Sequence, residues 1–244
     1  MILAAIPVVV PQASEPPLER PGDIPFGVYK RQQARISRHR LYPVTVFYST
    51  YAVITMFFAL RTAHPWLALF SCALGLPLWT FEEYIFHRWV LHGHFGPGTG
   101  FIRKFAHDRL DPLHWDHHKH PFNGHHINGE LKDLLPLFFT ITPLSFLAPI
   151  YTLPALIAGV VECYVLEEWI HHSCHFYNFR NPYFRYIKRH HFYHHSPKGE
   201  NAGYGLTNGF WDIVWKTRFP KEVRESLYNK KAVSKKSPAP LAES

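Results

Sequence analysis

Ten histidines between residues 87 and 195 have the spacings of metal ligands. The chain of 244 residues has 19 histidines, and these ten form four boxes: His87-Arg-Trp-Val-Leu-His92, His114-Trp-Asp-His117-His118, His171-His-Ser-Cys-His175 and His191-Phe-Tyr-His194-His195. Residues at i, i+3 and i+4 share a helix face, so the three histidines of each HxxHH box can converge, as can His171 and His175. His87 and His92 are about 140° apart on an ideal helix. They therefore either serve different metals or require the helix end to unwind.

The number of imidazoles indicates two metal ions. Ten exceed what one ion accepts, whereas two ions can each hold four or five and keep one position open. Imidazole ligands suit zinc, copper, iron or nickel. A neutral, nitrogen-rich site at a membrane face fits a pair of irons that activates dioxygen against a C–H bond, because hydrolysis needs only one Lewis acid and a nearby base.

The other nine histidines do not complete a ligand pattern. We expect the solitary ones, His39, His64 and His107, to lie at a surface or an interface. The remaining six neighbour the boxes, and we expect them to lie beside the ligands or to face solvent: His94, His120, His125, His126, His172 and His190.

Acidic residues near the boxes are candidates to orient the imidazoles, because a ligating histidine needs an acceptor for its other ring nitrogen. Glu167 and Glu168 precede His171 by four and three residues, and a carboxylate so close to an apolar span is costly unless it is partnered. For Glu83 and Asp116, a solvated interfacial charge is an equal alternative. The full set of candidates is Glu82, Glu83, Asp111, Asp116, Glu167, Glu168 and Asp212.

Apolar runs provide the elements that must position the boxes. Residues 43–60 carry no charge and are long enough to cross a bilayer, and residues 65–81 form a second run after a short break, so the two predict a hairpin. Residues 134–161 are uncharged but interrupted by prolines. They predict a second hairpin that turns at Pro149 to Pro154, with its last helix continuing through Glu162 and Glu167 to the third box. Two hairpins place the N-terminus, the boxes and the C-terminus on one face.

Composition and charge agree with a membrane protein. Aromatic residues make up 16% of the chain and charged residues 18%. The net charge of +8 is concentrated before the first apolar run and in the tail, as the positive-inside rule expects, and the chain has no nucleic-acid-binding motif. Three cysteines without a CxxC pair provide no disulfide framework. We divide the chain into a Pro-rich, basic segment (1–40), a membrane domain with the four boxes (41–220) and a basic, disordered tail (221–244).

The four boxes resemble those of the fatty acid hydroxylase/sterol desaturase superfamily of membrane di-iron enzymes. They are most similar to the fatty acid 2-hydroxylases, whose pattern is HxxxxH, HxxHH, HxxxH, HxxHH, and all ten ligand positions of that pattern are histidine here. The resemblance covers roughly residues 40–220, including the closing Tyr204-Gly-Leu-Thr-Asn-Gly-Phe-Trp-Asp212. It implies an all-α integral membrane protein, with four transmembrane helices under a cytosolic helical cap that holds a di-metal site.

The resemblance also implies an activity, which is hydroxylation at C2 of a long acyl chain, often in a sphingolipid, by two iron ions with O2 as co-substrate. Zinc can replace iron on purification, because nitrogen ligands discriminate weakly and Zn2+ lies above Fe2+ in affinity. Several relatives carry a fused cytochrome b5 domain with a His-Pro-Gly-Gly signature, which this sequence does not contain. We therefore expect a separate electron donor, such as cytochrome b5 with its reductase or a ferredoxin. The expected location is the endoplasmic reticulum in a eukaryote or the inner membrane in a bacterium, with the boxes facing the cytosol.

Three alternatives remain open. A carotenoid ring hydroxylase resembles the first box, but its third box is HxxxxH, whereas His171 and His175 are separated by three residues. Sterol desaturases usually have a shorter first box. A histidine-rich metal carrier would be expected to place its polar ligands in mid-span, whereas these boxes lie at span ends and in a polar insert.

Overall fold

The computed structural model describes Gly22 and residues 24–228, except for the Asp111 side chain. Most of the predicted Pro-rich segment and residues 229–244 of the predicted tail lie outside this range. The described residues form helices and connecting loops without a β-strand, so the prediction of an all-α protein is confirmed. The helices are α1 (Phe26–Ala59), α2 (Pro65–Ile85), α3 (Phe101–Phe105), α4 (Asp111–Lys119), α5 (Leu131–Ser145), α6 (Leu153–Phe176), α7 (Pro182–His194), α8 (Phe210–Val214) and α9 (Lys221–Tyr228).

Helix α1 joins the basic N-terminal residues and the first apolar run in one helix of 34 residues. The domain boundary that we placed at residue 40 therefore falls inside a continuous helix. Among the described residues, α1 is the one helix that is long and apolar enough to cross a membrane by length and composition. Helices α2 and α6 include carboxylates near their C-terminal ends, among them Glu83 and Glu168. The four spans and the cap stay a prediction.

Helix α6 lies between the first two helices and packs along both of them. Glycines make the contact with α2 close, because a Cβ atom on Gly75 would lie 2.5 Å from the backbone of Gly159. A Cβ atom on Gly159 would in turn overlap the carbonyl oxygen of Cys72. Helices α1 and α2 are consecutive, but each packs mainly against α6 rather than against the other.

The second pair of helices turns where the prolines predicted. Helix α5 ends at Ser145 and α6 begins at Leu153, and α6 then continues through Glu162 and Glu167 to the third histidine box. Aromatic side chains join α1 to both α5 and α6. The ring of Tyr48 lies 5.3 Å from that of Phe138 and 5.7 Å from that of Tyr164, measured between centroids.

A polar network fastens the insert between α2 and α5. The side chains of Glu130 and Asp133 form a capping box at the start of α5. Arg109 donates from Nε to Asp133 at 2.8 Å and from Nη2 to Glu130 at 3.1 Å, while Arg40 of α1 also pairs with Glu130. Burial alone raises the pKa of Glu130, but the hydrogen bond from Lys132 and the positive charges of Lys132, Arg40 and Arg109 outweigh it and hold the pKa at about 2. The insert, which carries α4, is thereby tied to both α1 and α5.

The segment that we assigned to the tail begins with a helix. Residues 221–228, which we assigned to a disordered tail, form α9. Arg189 of α7 donates to the carbonyl oxygen of Leu227 at 2.8 Å, and Arg224 donates to that of Phe219 at 3.1 Å. The first contact joins α9 to the histidine-bearing helix α7, and the second joins α9 to the loop before it.

Candidate metal centre

The structure brings all ten histidines of the boxes into two groups. Within each group, one ring nitrogen per residue lies within 4.8 Å of the corresponding nitrogens of the other four. The first cluster consists of His87, His92, His114, His118 and His194. The second cluster consists of His117, His171, His175, His191 and His195.

Each HxxHH box contributes to both clusters, which corrects our prediction that its three histidines converge. In α4, His114 and His118 enter the first cluster and His117 enters the second. Consecutive residues on a helix are about 100° apart, so His117 and His118 point to different sides of α4. Asn181 caps the first turn of α7, which carries the fourth box at its C-terminal end. In this box the middle histidine, His194, enters the first cluster, whereas His191 and His195 enter the second.

A π-helix shows whether His87 and His92 of the first box lie on one face of the helix or serve different metals. Residues Phe86–Leu91 continue α2 as a π-helix, and the backbone N–H of His92 donates to the carbonyl oxygen of His87 at 3.0 Å. This wider turn hydrogen-bonds residues five apart, so it places His87 and His92 on one face. Their ring centroids are 5.0 Å apart, and both side chains enter the first cluster. The helix end unwinds, and the two histidines do not serve different clusters.

The two clusters are adjacent. The rings of His118 and His195, one from each cluster, stack with their centroids 4.3 Å apart. The third box completes the second cluster from α6, where His171 and His175 are one helical turn apart. Four segments of the chain that are distant in sequence therefore form one paired site.

In the first cluster, the lone pairs of ring nitrogens on neighbouring histidines point toward each other. His87 donates its Nδ1 proton to the carbonyl oxygen of Tyr204 at 2.5 Å, and His194 donates its Nδ1 proton to that of Ala202 at 2.8 Å. When both rings are neutral, each Nε2 atom therefore carries a lone pair, and these two atoms lie 3.2 Å apart. The Nε2 atom of His92 lies 2.9 Å from that of His194. Facing lone pairs repel each other unless a cation lies between them.

The same short separations occur in the second cluster. The Nε2 atom of His191 lies 2.8 Å from that of His175 and 3.0 Å from that of His195. The Nε2 atoms of His117 and His171 are 3.0 Å apart. Two nitrogens bound to one ion at about 2.1 Å and at a right angle are about 3.0 Å from each other. Both clusters therefore fit a metal ion held by several imidazoles.

Burial keeps these imidazoles neutral. Burial lowers the pKa of His87 to about 4, although its bond to the Tyr204 carbonyl acts in the opposite direction. Burial and the neighbouring histidines lower the pKa of His92 to about 3, and they lower the pKa of His114 and His191 well below the usual range. A neutral imidazole has the free lone pair that a metal needs.

Two of the candidate acidic residues, Glu83 and Asp212, contact a loop beside the rings rather than the rings themselves. The structure shows backbone carbonyls, those of Tyr204 and Ala202, as the partners of His87 and His194. Glu83 and Asp212 instead accept hydrogen bonds from the loop that carries these carbonyls. The sequence signal was present in the glycines that flank Tyr204, since glycines in a polar loop mark close approaches of the backbone.

Glu168 takes part in a second buried network, beside the third box. It accepts a hydrogen bond at 2.6 Å from the side chain of Asn128. Ser37 of α1 contacts both Asn128, at 2.5 Å, and Nδ1 of His172, at 2.7 Å. Nothing in our sequence analysis singled out Ser37 or Asn128, because each is an isolated polar residue in sequence. This network connects α1, the insert and α6 next to His171.

The remaining histidines lie outside both clusters. His39 and His64 are exposed, and His107 donates from Nδ1 to the carbonyl oxygen of Phe95 at 2.5 Å. His94 stacks on Trp115, with the centroids 4.7 Å apart. His120, His125 and His126 belong to the loop after α4, and His190 packs against Phe219.

Comparison with known proteins places these clusters in a family. The sequence model of the fatty acid hydroxylase family matches residues 72–217, which is more than half of the chain and includes all ten histidines. The chain belongs to the fatty acid hydroxylase family. The match begins within α2 and ends in the loop between α8 and α9, so it covers both clusters and the loop of Tyr204.

Curated relatives in this family act on fatty acyl chains, according to their names. The chain is 32% identical over 149 residues to dihydroceramide fatty acyl 2-hydroxylase FAH2 of Arabidopsis thaliana, covering 59% of each protein. It is 28% identical to fatty acid 2-hydroxylase of Mus musculus, covering 63% of this chain and 41% of the mouse protein. The chain thus spans about two to three fifths of the length of these relatives.

A yeast relative supplies both a sequence and a solved structure. The chain is 30% identical to ceramide very long chain fatty acid hydroxylase SCS7 of Saccharomyces cerevisiae, covering 71% of this chain and 44% of the yeast protein. A solved structure described as full-length Scs7p, with only the hydroxylase domain visible, superposes with a TM-score of 0.64 at 28% identity. That superposition covers 74% of this chain and 67% of the solved chain.

Proposed function

We propose that this protein is a di-iron membrane monooxygenase that inserts a hydroxyl group at C2 of a long fatty acyl chain in a sphingolipid or ceramide. The observation that carries the proposal is the pair of adjacent five-histidine clusters with Nε2 atoms facing one another at 2.8 to 3.2 Å. The names of the relatives support the substrate class and the position of the hydroxyl group.

In this proposal the ten histidines hold two iron ions, one in each cluster. When bound, the reduced iron pair would supply the electrons that activate O2, the oxidant, for insertion of one oxygen atom into a C–H bond. The overall reaction consumes one O2, two electrons and two protons per acyl chain, and it yields one hydroxyl group and one water. The chain itself holds the ligands neutral by burial, and it fixes the Nδ1 protons of His87 and His194 on backbone carbonyls.

The proposed membrane arrangement has four spans, α1, α2, α5 and α6, under a cytosolic cap that contains the clusters. The basic residues of α1 before Pro43 support this orientation, because cytoplasmic flanks are enriched in lysine and arginine. The histidines at the C-terminal ends of α2 and α6 then lie at the cytosolic membrane face, where the C2 atom of a lipid acyl chain can reach them. We propose the endoplasmic reticulum as the location in a eukaryote and the inner membrane in a bacterium.

Electrons are proposed to come from a separate donor, either cytochrome b5 with its reductase or a ferredoxin. The described residues contain two histidine clusters and no cysteine cluster that would bind iron–sulfur. We therefore place the proposed donor outside the described residues.

Other reactions have less support. A carotenoid or sterol substrate has no counterpart among the relatives described above, all of which are named for fatty acyl chains. A metal carrier needs ligands along a pathway through the bilayer. Here the clusters lie at helix ends and in the insert.

The decisive experiment compares the intact protein with His191→Ala in cells that lack 2-hydroxylated lipids. Total lipid is hydrolysed and 2-hydroxy acids are measured by mass spectrometry. We expect a 2-hydroxy product with the intact protein and its loss in the variant, because His191 contributes an Nε2 atom to the second cluster. The matched control is His39→Ala, which removes an exposed histidine outside both clusters and should leave the product unchanged.

The proposal fails if folded, iron-loaded protein, supplied with a reductant and with sphingolipid and acyl substrates, forms no 2-hydroxy product. The same extracts would then be searched for hydroxylated carotenoids and sterols.

A further inference from the structure

The loop of residues 202–207 supports the first cluster by a chain of hydrogen bonds. Its carbonyl groups at Ala202 and Tyr204 accept the Nδ1 protons of His194 and His87. The direction of each ring, and therefore of the Nε2 atom aimed at the metal, depends on where these two carbonyls lie. The position of the loop is thus part of the geometry of the first cluster.

Asp212 holds one half of this loop. Its Oδ1 atom accepts from the backbone N–H of Tyr204 at 3.0 Å and from the Thr217 hydroxyl at 2.7 Å, and its Oδ2 atom accepts from the backbone N–H of Gly205 at 3.0 Å. The residue is 1% exposed, so these bonds compete with little solvent. A buried carboxylate with three donors fixes the peptide groups on both sides of Tyr204.

Glu83 holds the other half of the loop. Its Oε1 atom accepts from the backbone N–H groups of Leu206, at 2.7 Å, and Thr207, at 3.1 Å, and its Oε2 atom accepts from the Thr207 hydroxyl at 2.5 Å. Glu83 precedes His87 by four residues and is 5% exposed. It therefore ties the loop to the same segment of chain that carries the first box.

The loop packs closely against its neighbours at two glycines. Gly203 has φ +67°, a left-handed conformation that favours glycine, and a Cβ atom there would overlap the ring of Phe219. A Cβ atom on Gly205 would overlap the carbonyl oxygen of Asn208 and lie 3.1 Å from Oδ2 of Asp212. The loop can therefore pass close to its neighbours only with these two glycines.

The histidines of the second cluster lie outside this loop in sequence. These five histidines lie on α4, on α6 and at the C-terminal end of α7. The Nδ1 atom of His117 is buried without a hydrogen-bond partner among the described residues. The two ring nitrogens that bond to the loop of residues 202–207 belong to first-cluster histidines.

We propose that Asp212 and Glu83 are positioning residues that act, through the loop of residues 202–207, on the metal site of the first cluster and not on that of the second. This inference rests on the metal centre of the proposed function. Groups that orient metal ligands typically change metal affinity about 10- to 100-fold when they are lost. We expect a loss of this size at the first site alone.

The test is the metal content of the purified full-length protein with Asp212→Asn. The substitution keeps the size of the side chain but replaces one carboxylate oxygen with an NH2 group. An NH2 group cannot accept a hydrogen bond, so one of the two backbone N–H groups loses its acceptor. We expect the metal content to fall from two ions per chain to about one. The cobalt-loaded variant should have the absorption spectrum of His118→Ala, which removes a first-cluster ligand, and not that of His117→Ala, which removes a second-cluster ligand.

Thr217→Val is the matched control. It removes the hydroxyl donor of Asp212 but leaves both backbone N–H bonds to the carboxylate, so it should retain two ions per chain. Glu83→Gln is the second test variant, and it should also lose the first-site ion selectively. If Asp212→Asn does not fold, Glu83→Gln decides the question. Ser37→Ala, which weakens the buried network near the second cluster, controls for general loss of stability and should keep the first-site ion.

Retention of two ions in both test variants, or equal loss from both sites, would overturn the inference. This failure differs from failure of the proposed function, because metal content is measured without turnover. If wild-type protein does not bind two ions, the proposed centre and the positioning role are both wrong. If wild-type protein binds two ions and the test variants do as well, only the positioning role is wrong.

Discussion

His87 and His194 show what the site requires of a single side chain. Each ring gives its Nδ1 proton to a backbone carbonyl and turns its Nε2 lone pair inward, and the two Nε2 atoms lie 3.2 Å apart. Burial lowers the pKa of both residues, so protonation does not relieve the repulsion at neutral pH. A cation between the rings would convert the repulsion into two bonds.

Removal of the metal should therefore destabilise the protein. A ligand present at about 1,000 times its dissociation constant stabilises the folded state by about 4 kcal/mol. We expect a chelator to lower the melting temperature of the detergent-solubilised protein and added Fe2+ to restore it, as measured by thermal denaturation. A double variant, His87→Ala with His191→Ala, removes one ligand from each cluster and should respond far less. An unchanged melting temperature in wild-type protein whose metal has been removed would contradict this prediction.

At the scale of the helices, the close contact of α2 with α6 determines where the third box lies. Gly75 and Gly159 let the two backbones approach, as small residues do between helices in membranes. Since α6 carries His171 and His175 and α2 leads into the π-helix of His87, this contact sets the distance between one box of each cluster.

Gly159→Ala should therefore destabilise the protein although it adds only one methyl group. The new Cβ atom would overlap the carbonyl oxygen of Cys72, and overpacking of this kind typically costs about 1–3 kcal/mol. The measurement is the melting temperature, together with metal content. Gly209→Ala is the matched control, because no atom lies within 4 Å of a Cβ atom built at that position. Equal melting temperatures of the two variants would contradict this prediction, because they would show that α2 and α6 can move apart without loss of stability.

At the scale of the whole molecule, the helices direct all four boxes toward one end. The π-helix continues the C-terminal end of α2, and the third box lies at the C-terminal end of α6. The turn between α5 and α6, where Leu147 is 87% exposed, precedes α6 and so lies at its other end.

Cysteine labelling tests whether these two ends lie on opposite sides of a membrane. Leu147→Cys and Lys198→Cys introduce thiols at exposed positions, in the turn before α6 and shortly after the fourth box. We expect a membrane-impermeant maleimide to label them from opposite sides in sealed vesicles of known orientation, with Lys198→Cys on the cytosolic side. The protein with its three native cysteines provides the background. Labelling of both positions from the same side would exclude the proposed span of α6.

The sequence by itself determined the ten histidines, their assignment to four boxes, the helical class and the turn between α5 and α6. These features are local: a spacing, an apolar run or a pair of prolines specifies them without knowledge of the rest of the chain. The sequence did not determine the end of the last helix, because the contacts of Arg189 with Leu227 and of Arg224 with Phe219 form only after folding.

Only the tertiary structure decided how the histidines are shared between the clusters. Whether His117 joins His118 or His171 depends on how α4 is rotated relative to α6, and no local pattern specifies that rotation. The π-helix likewise settles the pairing of His87 with His92, which an ideal helix would have separated. The partners of the rings were not predicted either, because the glycines beside Tyr204 indicate a close approach of the backbone but not which group the backbone approaches. Asp212 and Glu83 were visible as acids near the boxes, but their hold on the loop of residues 202–207 depends on distances that only the folded chain creates.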